Sequence, residues 1–256
     1  MSKLKVTFDS NVWEKVVSGD NKFLKIRDNI LSGNIEPYIC EIAISLESIR
    51  KRERLSFWKG YESKAEIVGE KFEENKFSGT ICFGPNNEAH PGLHHVLKDC
   101  LLKANSMGFK VLTMTNIGTV RSPVIPDEMK ISFSKIDDFW EYADELNDCS
   151  NFIQSLGAGA AEYFNLVEMY GLHGHSVMRI ARELPDKLEK QFFQCVAEWV
   201  DGDALSAHYA YKNDFFCTQD SGKNAGSKSV FFPDNIRKVT EKFNVKVISA
   251  SELSVL

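Results

Sequence analysis

Apolar positions along the chain follow two rhythms, one of strands and one of helices. Leu4 to Phe8 alternates and ends on Asp9, which predicts a buried strand stopping at a polar residue. A helix begins over Asn11 to Val17, and Phe23, Leu24, Ile26, Ile30 and Leu31 keep a helical period up to a stop at Gly33-Asn34. Ile35 to Cys40 predicts a second short strand. After it, Ile42, Leu46, Ile49, Leu55 and Phe57-Trp58 predict one long helix with a heavily charged face.

The middle of the chain is less regular. Lys64 to Phe77 reads as a charged helix and Gly79 to Pro91 as a loop. His94 to Ser106 reads as a helix stopped by Gly108, and Phe109 to Thr115 as a strand. Val120 to Ile131, with Pro123 and Pro126, reads as irregular or as an edge. Two helices are then expected, around Ile136 to Leu146 and Phe152 to Tyr170.

Near the end the pattern sharpens. Leu184, Leu188, Phe192, Val196 and Trp199 predict an amphipathic helix closed near Gly202. Asp203 then serves as the N-cap of a second short helix bearing Ala204, Ala207, Ala210 and Tyr211. Phe215 to Thr218 is a strand that stops at Asp220, Asn235 to Phe243 a helix, and Val245 to Ile248 a last strand. Strands alternating with helices predict an α/β fold, a three-layer α/β/α arrangement around a parallel sheet of four or five strands.

Composition narrows the class. The chain has 256 residues, 43% hydrophobic and 26% charged, which is ordinary globular usage and excludes disordered or fibrous classes. No apolar run is long enough for a membrane span, and the N-terminus lacks the pattern of a secretory signal. Six cysteines without a C-x-x-C pair read as reduced thiols of a cytoplasmic protein. A net charge of −5 argues against a broad basic surface for duplex DNA.

Strand-ending acids are the candidate chemistry. Ligands of open parallel sheets bind beyond the carboxyl ends of the strands, where connections diverge. Asp9 and Asp220 sit just past such ends, Asp203 leads into the Phe215 strand, and Glu47 lies two turns into the helix after the second strand. Together, unneutralised, these four carboxylates repel and hold protons more tightly. A divalent cation relieves that cost, and all-oxygen ligation favours Mg²⁺ or Mn²⁺. Asp201 and Asp214 either join this site or face water. Arg50 and Lys51, three and four residues after Glu47, share its predicted helical face, where they receive a phosphate backbone or simply pair with Glu47.

The histidines and glycines point elsewhere. His90, His94 and His95, like His173 and His175, lack ligand spacing and read as surface residues, and His208 as packed or partly exposed. Gly157-Ala158-Gly159-Ala160-Ala161 lacks the third small residue of a dinucleotide loop and reads as close helix packing. Gly222-Lys223 is no phosphate loop, because Cys217 stands where its first glycine belongs.

The acidic residues carry a resemblance. Val6-Thr7-Phe8-Asp9-Ser10-Asn11-Val12 resembles the opening strand and acid-x-Asn turn of PIN-domain nucleases. Ile42 to Ile49 with Glu47 is similar to that family's second acidic motif. Asp203-Ala204-Leu205-Ser206-Ala207-His208-Tyr209-Ala210 and Phe215-Phe216-Cys217-Thr218-Gln219-Asp220 resemble its third and fourth, and Val247 to Leu253 its last strand and turn. The chain departs in the long interval between Glu47 and Asp203. It is therefore expected to form a single PIN-like domain, with a core of about residues 1–60 and 185–256 and a mainly helical insertion of about 61–184.

The resemblance implies a metal-dependent phosphodiesterase, an endoribonuclease acting on single strands of RNA or less often DNA. It makes Asp9, Glu47, Asp203 and Asp220 the catalytic and metal-holding set, with Asn11 and Thr218 in support. It also admits a toxin neutralised by an antitoxin, a defence or RNA-processing component, another protein partner and a homodimer. Two other readings stand beside it. A non-catalytic PIN-like module binds RNA or protein without cutting. A haloacid-dehalogenase-type phosphatase also starts with a strand ending in Asp, but requires a second Asp where this chain has Asn11.

Overall fold

Side chains that alternate along short, fully buried strands need cover on both faces, and this requirement sets the architecture. The computed structural model describes residues 3–61, 63–73, 76–85, 95–113, 125–172 and 176–256. In chain order the elements are β1 (Leu4–Phe8), α1 (Ser10–Ser18), α2 (Leu24–Leu31), β2 (Ile35–Cys40), α3 (Glu41–Glu47) and α4 (Arg54–Gly60). There follow β3 (Ser63–Glu73), β4 (Lys76–Pro85), α5 (His95–Ser106), β5 (Lys110–Leu112), α6 (Ile136–Ser155), α7 (Ala161–Met169) and α8 (Val177–Glu183). The chain ends with α9 (Glu189–Ala210), β6 (Phe215–Cys217), α10 (Pro233–Phe243), β7 (Val247–Ile248) and α11 (Ala250–Leu253).

Five strands form one parallel sheet in the order β5-β2-β1-β6-β7. Val6, Phe8, Ile39, Val111 and Cys217 face one hydrophobic cluster, built with α1, α2, α5 and α11. Tyr38, Cys40, Leu112 and Phe216 face the other, built with α6 to α10. The layers are helix, sheet, helix, as the alternation predicts. From β1 the chain moves to β2 and β5 on one side, whereas β6 leads to β7 on the other. Connections therefore diverge between β1 and β6, and a crevice opens beyond their carboxyl ends.

Several elements differ from the sequence expectation. Lys64 to Phe77, expected to be helical, lies in the antiparallel pair β3–β4, with Ile67 opposite Ile81 and Phe72 opposite Phe77. The segment is rich in β-branched and aromatic residues, which favour extended backbone over the helix that the charge pattern suggested. The long helix expected from Ile42 is broken after Glu47 into α3 and α4, with turn residues between them. The two helices expected across 136–170 divide near Gly157, whose φ is +76°, rather than near residue 150. The segment expected as an addition beside the sheet instead supplies its edge strand β5, and α6 packs along α9.

Gly202 does not stop a helix, since α9 runs unbroken through it for 22 residues. A Cβ at Gly202 would lie 3.0 Å from the Cα of Gly159, so glycine here permits backbone contact between α9 and the turn after α6. Asp203 is consequently a mid-helix residue and not an N-cap. Among the described residues no helix is long and apolar enough to cross a membrane. Cys40, Cys100, Cys149, Cys195 and Cys217 are buried free thiols.

Candidate functional site

The crevice is built around the end of β1. Asp9 caps α1 and is 7% exposed, and its backbone amide extends the β1–β6 ladder to Cys217 O at 3.0 Å. Its Oδ1 accepts from the Ser10 amide at 2.6 Å. Its Oδ2 accepts from Asn11 Nδ2 at 2.7 Å and from Thr218 Oγ1 at 2.6 Å. Asn11 Oδ1 in turn accepts the Gln219 amide at 3.0 Å, so one side chain fastens the turn after β1 to the end of β6. Thr218 Oγ1 also accepts the Asp220 amide at 2.9 Å, and Asp220 Oδ1 the Gly222 amide at 2.8 Å. Asp9, Asn11, Thr218 and Asp220, separated by about two hundred residues, thus form one hydrogen-bonded unit.

Electrostatics identify the acids that share this space. Burial raises the proton affinity of Asp9; its bonds from Thr218 and Ser10 oppose the rise, and the charge of Asp220 adds to it. Asp201, on α9, is pushed well above the usual carboxylate range by burial and by the charges of Asp9, Glu198, Asp220 and Glu47. Glu198 is raised by burial, against a hydrogen bond from Ser229 and with a contribution from Asp220. Its Oε2 is buried without a hydrogen-bond partner. Among the described residues no lysine, arginine or histidine forms a salt bridge with Asp9, Asp201, Glu198 or Asp220.

Asp203 faces elsewhere. Its Oδ1 accepts from Ser150 Oγ on α6 at 3.2 Å, and burial, opposed by hydrogen bonds from Ser150 and Trp199, pushes its carboxyl up to about 7. The phase of a helix explains the difference: residues two apart are rotated by about 200°, whereas Glu198 and Asp201, three apart, share a side. Reading α9 as two helices concealed this phase. The recurrence of acids at 198 and 201 is the signal that a continuous helix would have made legible.

Glu47 ends α3 and pairs with Arg54, whose Nη2 lies 2.9 Å from Oε2 and whose side chain is only 9% exposed. Arg54 Nε also bonds the Ile49 carbonyl at 3.0 Å. Glu47 raises the proton affinity of Glu14 on α1, where burial is the larger cause. Arg50 and Lys51 occupy the turn between α3 and α4, not the helical face expected for them, and Arg50 stands 4.0 Å from Glu53. Asp214 accepts the Lys5 amide at 2.8 Å at the amino end of the sheet, away from the crevice. His208 is buried, with Nδ1 2.9 Å from Thr7 Oγ1. His90, His94, His173 and His175 lie outside the described residues.

The donors' chemistry and their spacing give different answers for a cation. All-carboxylate donors without a salt-bridge partner among the described residues suit a hard divalent ion. As the side chains stand, however, no three His, Cys, Asp or Glu residues among those described are gathered closely enough to hold one. The charge is assembled and the ligand group is not. The chain matches no protein-family model, no curated protein and no solved structure.

Proposed function

We propose that the crevice hydrolyses phosphodiester bonds in single-stranded RNA with the help of Mg²⁺ or Mn²⁺, as the resemblance to PIN-like nucleases implies. The observation that carries this reading is the hydrogen-bonded unit of Asp9, Asn11, Thr218 and Asp220 where the sheet connections diverge, with no salt bridge to either acid among the described residues. Asp9 caps α1 and Asp220 closes its own turn, so each acid has a structural role as well. Burial and the nearby charge of Asp220 both disfavour the Asp9 carboxylate, and a cation is the simplest compensation.

The roles follow from the contacts. Asn11 and Thr218 hold the Asp9 carboxylate at a fixed place and angle. Asp220, on its own tight turn, presents the exposed side of the crevice. Burial and the charges of its acidic neighbours raise the proton affinity of Asp201. Asp9, Asp201 and Asp220 are the residues assigned to the cation, with Glu47 at the margin because Arg54 already occupies it. Asp203 is left out of the set.

That no ready ligand group is found among the described residues favours a second reading, a module that binds RNA without cutting it. One experiment separates the two. Labelled single-stranded RNA is incubated with Mg²⁺ or Mn²⁺, with and without chelator, while calorimetry follows Mn²⁺ uptake. Chelator-sensitive cleavage with cation uptake supports hydrolysis; RNA binding with neither supports the module.

A further inference from the structure

α6 packs one side against α9 and turns the other to solvent. Its 20 residues include six acids and no basic residue, on a chain whose whole net charge is −5. Asp137 stands in the first turn, where the helix dipole favours it. Glu141, Asp144 and Asp148 lie beyond the reach of that effect. With Asp137 they follow at spacings of four, three and four, which makes one stripe along the exposed side. Like charges so spaced weaken a helix, so the stripe is not explained by the stability of α6. Lys212 takes Glu141 and Glu145 at 2.9 and 3.2 Å. Among the described residues Asp137, Asp144 and Asp148 form no salt bridge.

An apolar pair borders the acids. Ile136 and Trp140, one turn apart, are 65% and 58% exposed. Lone exposed apolar side chains are ordinary, but two together beside a charged stripe make an amphipathic face. Its aromatic part is anchored. Trp140 packs on Phe139 with ring centres 5.3 Å apart, Phe139 on Phe133 at 5.7 Å, and Phe133 on Tyr142 at 4.9 Å. Tyr142 is buried and donates to the Thr113 carbonyl at 2.6 Å. An exposed indole beside carboxylates attracts a cationic side chain through the ring and through their charge. The same stripe repels a polyanion.

We propose that this face docks a basic amphipathic segment of another protein. An apolar side chain of that segment rests against Ile136 and Trp140, an arginine or lysine lies over the Trp140 ring, and further basic residues meet Asp137, Asp144 and Asp148. None of these five residues belongs to the Asp9–Asp220 unit, so the surface stands whether or not the crevice cuts RNA.

Two fluorescein-labelled helical peptides of alanine and leucine test it, one with arginine along its polar face and the other with glutamate. Anisotropy of each is followed with the full chain across a series of salt concentrations. The arginine peptide is expected to bind, more weakly as salt rises, and the glutamate peptide is not. Trp140→Ala and Asp144→Lys should each weaken binding about tenfold. Asp28→Lys reverses an exposed charge on α2, across the sheet from α6, and should change it less than about twofold. Wild-type affinity in both α6 variants, an equal loss in Asp28→Lys, or no binding of the arginine peptide overturns the proposal. Sedimentation of the chain alone adds one more check: a dimer that Trp140→Ala dissociates assigns the face to a second copy and overturns it as well.

Discussion

Asp201 and Asp203, two residues apart on one unbroken helix, serve different neighbourhoods: Asp201 interacts with Asp9 and Asp220, and Asp203 accepts a hydrogen bond from Ser150. The divergence follows from helical phase, which turns the two side chains to different sides of α9.

Asp201→Asn and Asp203→Asn therefore have different consequences. Asp201→Asn is expected to lower RNA cleavage by at least about a hundredfold. It should also raise the melting temperature by roughly 2–4 °C, because one carboxyl crowded by the charges of Asp9 and Asp220 becomes neutral. Asp203→Asn keeps an acceptor for Ser150 and is expected to retain cleavage within about threefold, below the tenfold that 1.36 kcal/mol of barrier produces. Parallel rate and calorimetric measurements decide; the reverse pattern returns Asp203 to the site and removes Asp201.

Gly202→Ala tests the contact that allows α9 to remain unbroken. Alanine is the better helix former by about 1 kcal/mol, so propensity alone predicts a more stable protein. The added Cβ would stand 3.0 Å from Gly159 Cα, whose own φ of +60° already ties that turn to glycine. The clash should prevail, with a net loss of about 1–3 kcal/mol in urea unfolding. A gain would show that the turn yields freely and that Gly202 has no packing role.

Strand periodicity made the sheet legible in the sequence, because β1, β2 and β6 alternate between two buried faces and little else competes for that pattern. The joining of Asp9, Asn11, Thr218 and Asp220 was legible for the same reason: residues just past strand ends meet wherever the strands pair. What escaped was set by tertiary contact. Gly202 resembles a stop until Gly159 is placed against it, and only then does the phase of α9 select Asp201. The break after Glu47 has no glycine or proline to announce it, and only the break brings Arg54 back onto Glu47. The β3–β4 pair alternates imperfectly, with a register shift between Val68 and Lys71, and its charged residues imitate a solvated helix.

Glu47→Gln examines that ion pair. The Arg54 side chain is nearly buried, and the substitution leaves its charge facing a neutral amide oxygen and the Ile49 carbonyl in place of a carboxylate. The expected loss is about 1–3 kcal/mol of stability, toward the low end because Glu47 is itself 39% exposed. Arg54→Met should instead free Glu47 and tighten Mn²⁺ uptake in calorimetry. Unchanged stability in Glu47→Gln together with lost cation uptake would make Glu47 a ligand first and a partner of Arg54 second.

His208 sets the expected acid sensitivity. Burial pushes its imidazole down to about 3, from an ordinary value of 6.5. Asn213 Nδ2 donates to Thr7 Oγ1 at 2.8 Å, which suits a neutral ring whose Nδ1 accepts the Thr7 hydroxyl. The unfolded chain takes up a proton below about pH 6.5 while the folded one refuses it until about pH 3, so this contribution is constant above 6.5 and is lost as pH falls through that window. The slope approaches 1.4 kcal/mol per pH unit. The raised carboxyls of Asp9 and Asp201 work in the opposite sense, so the quantity to measure is the difference between wild type and His208→Asn. Urea midpoints taken every half unit from pH 7.5 to 4.5 should converge toward the variant as acid is added. A difference that stays flat over that range would mean that His208 is charged in the fold or that its pocket opens before it titrates.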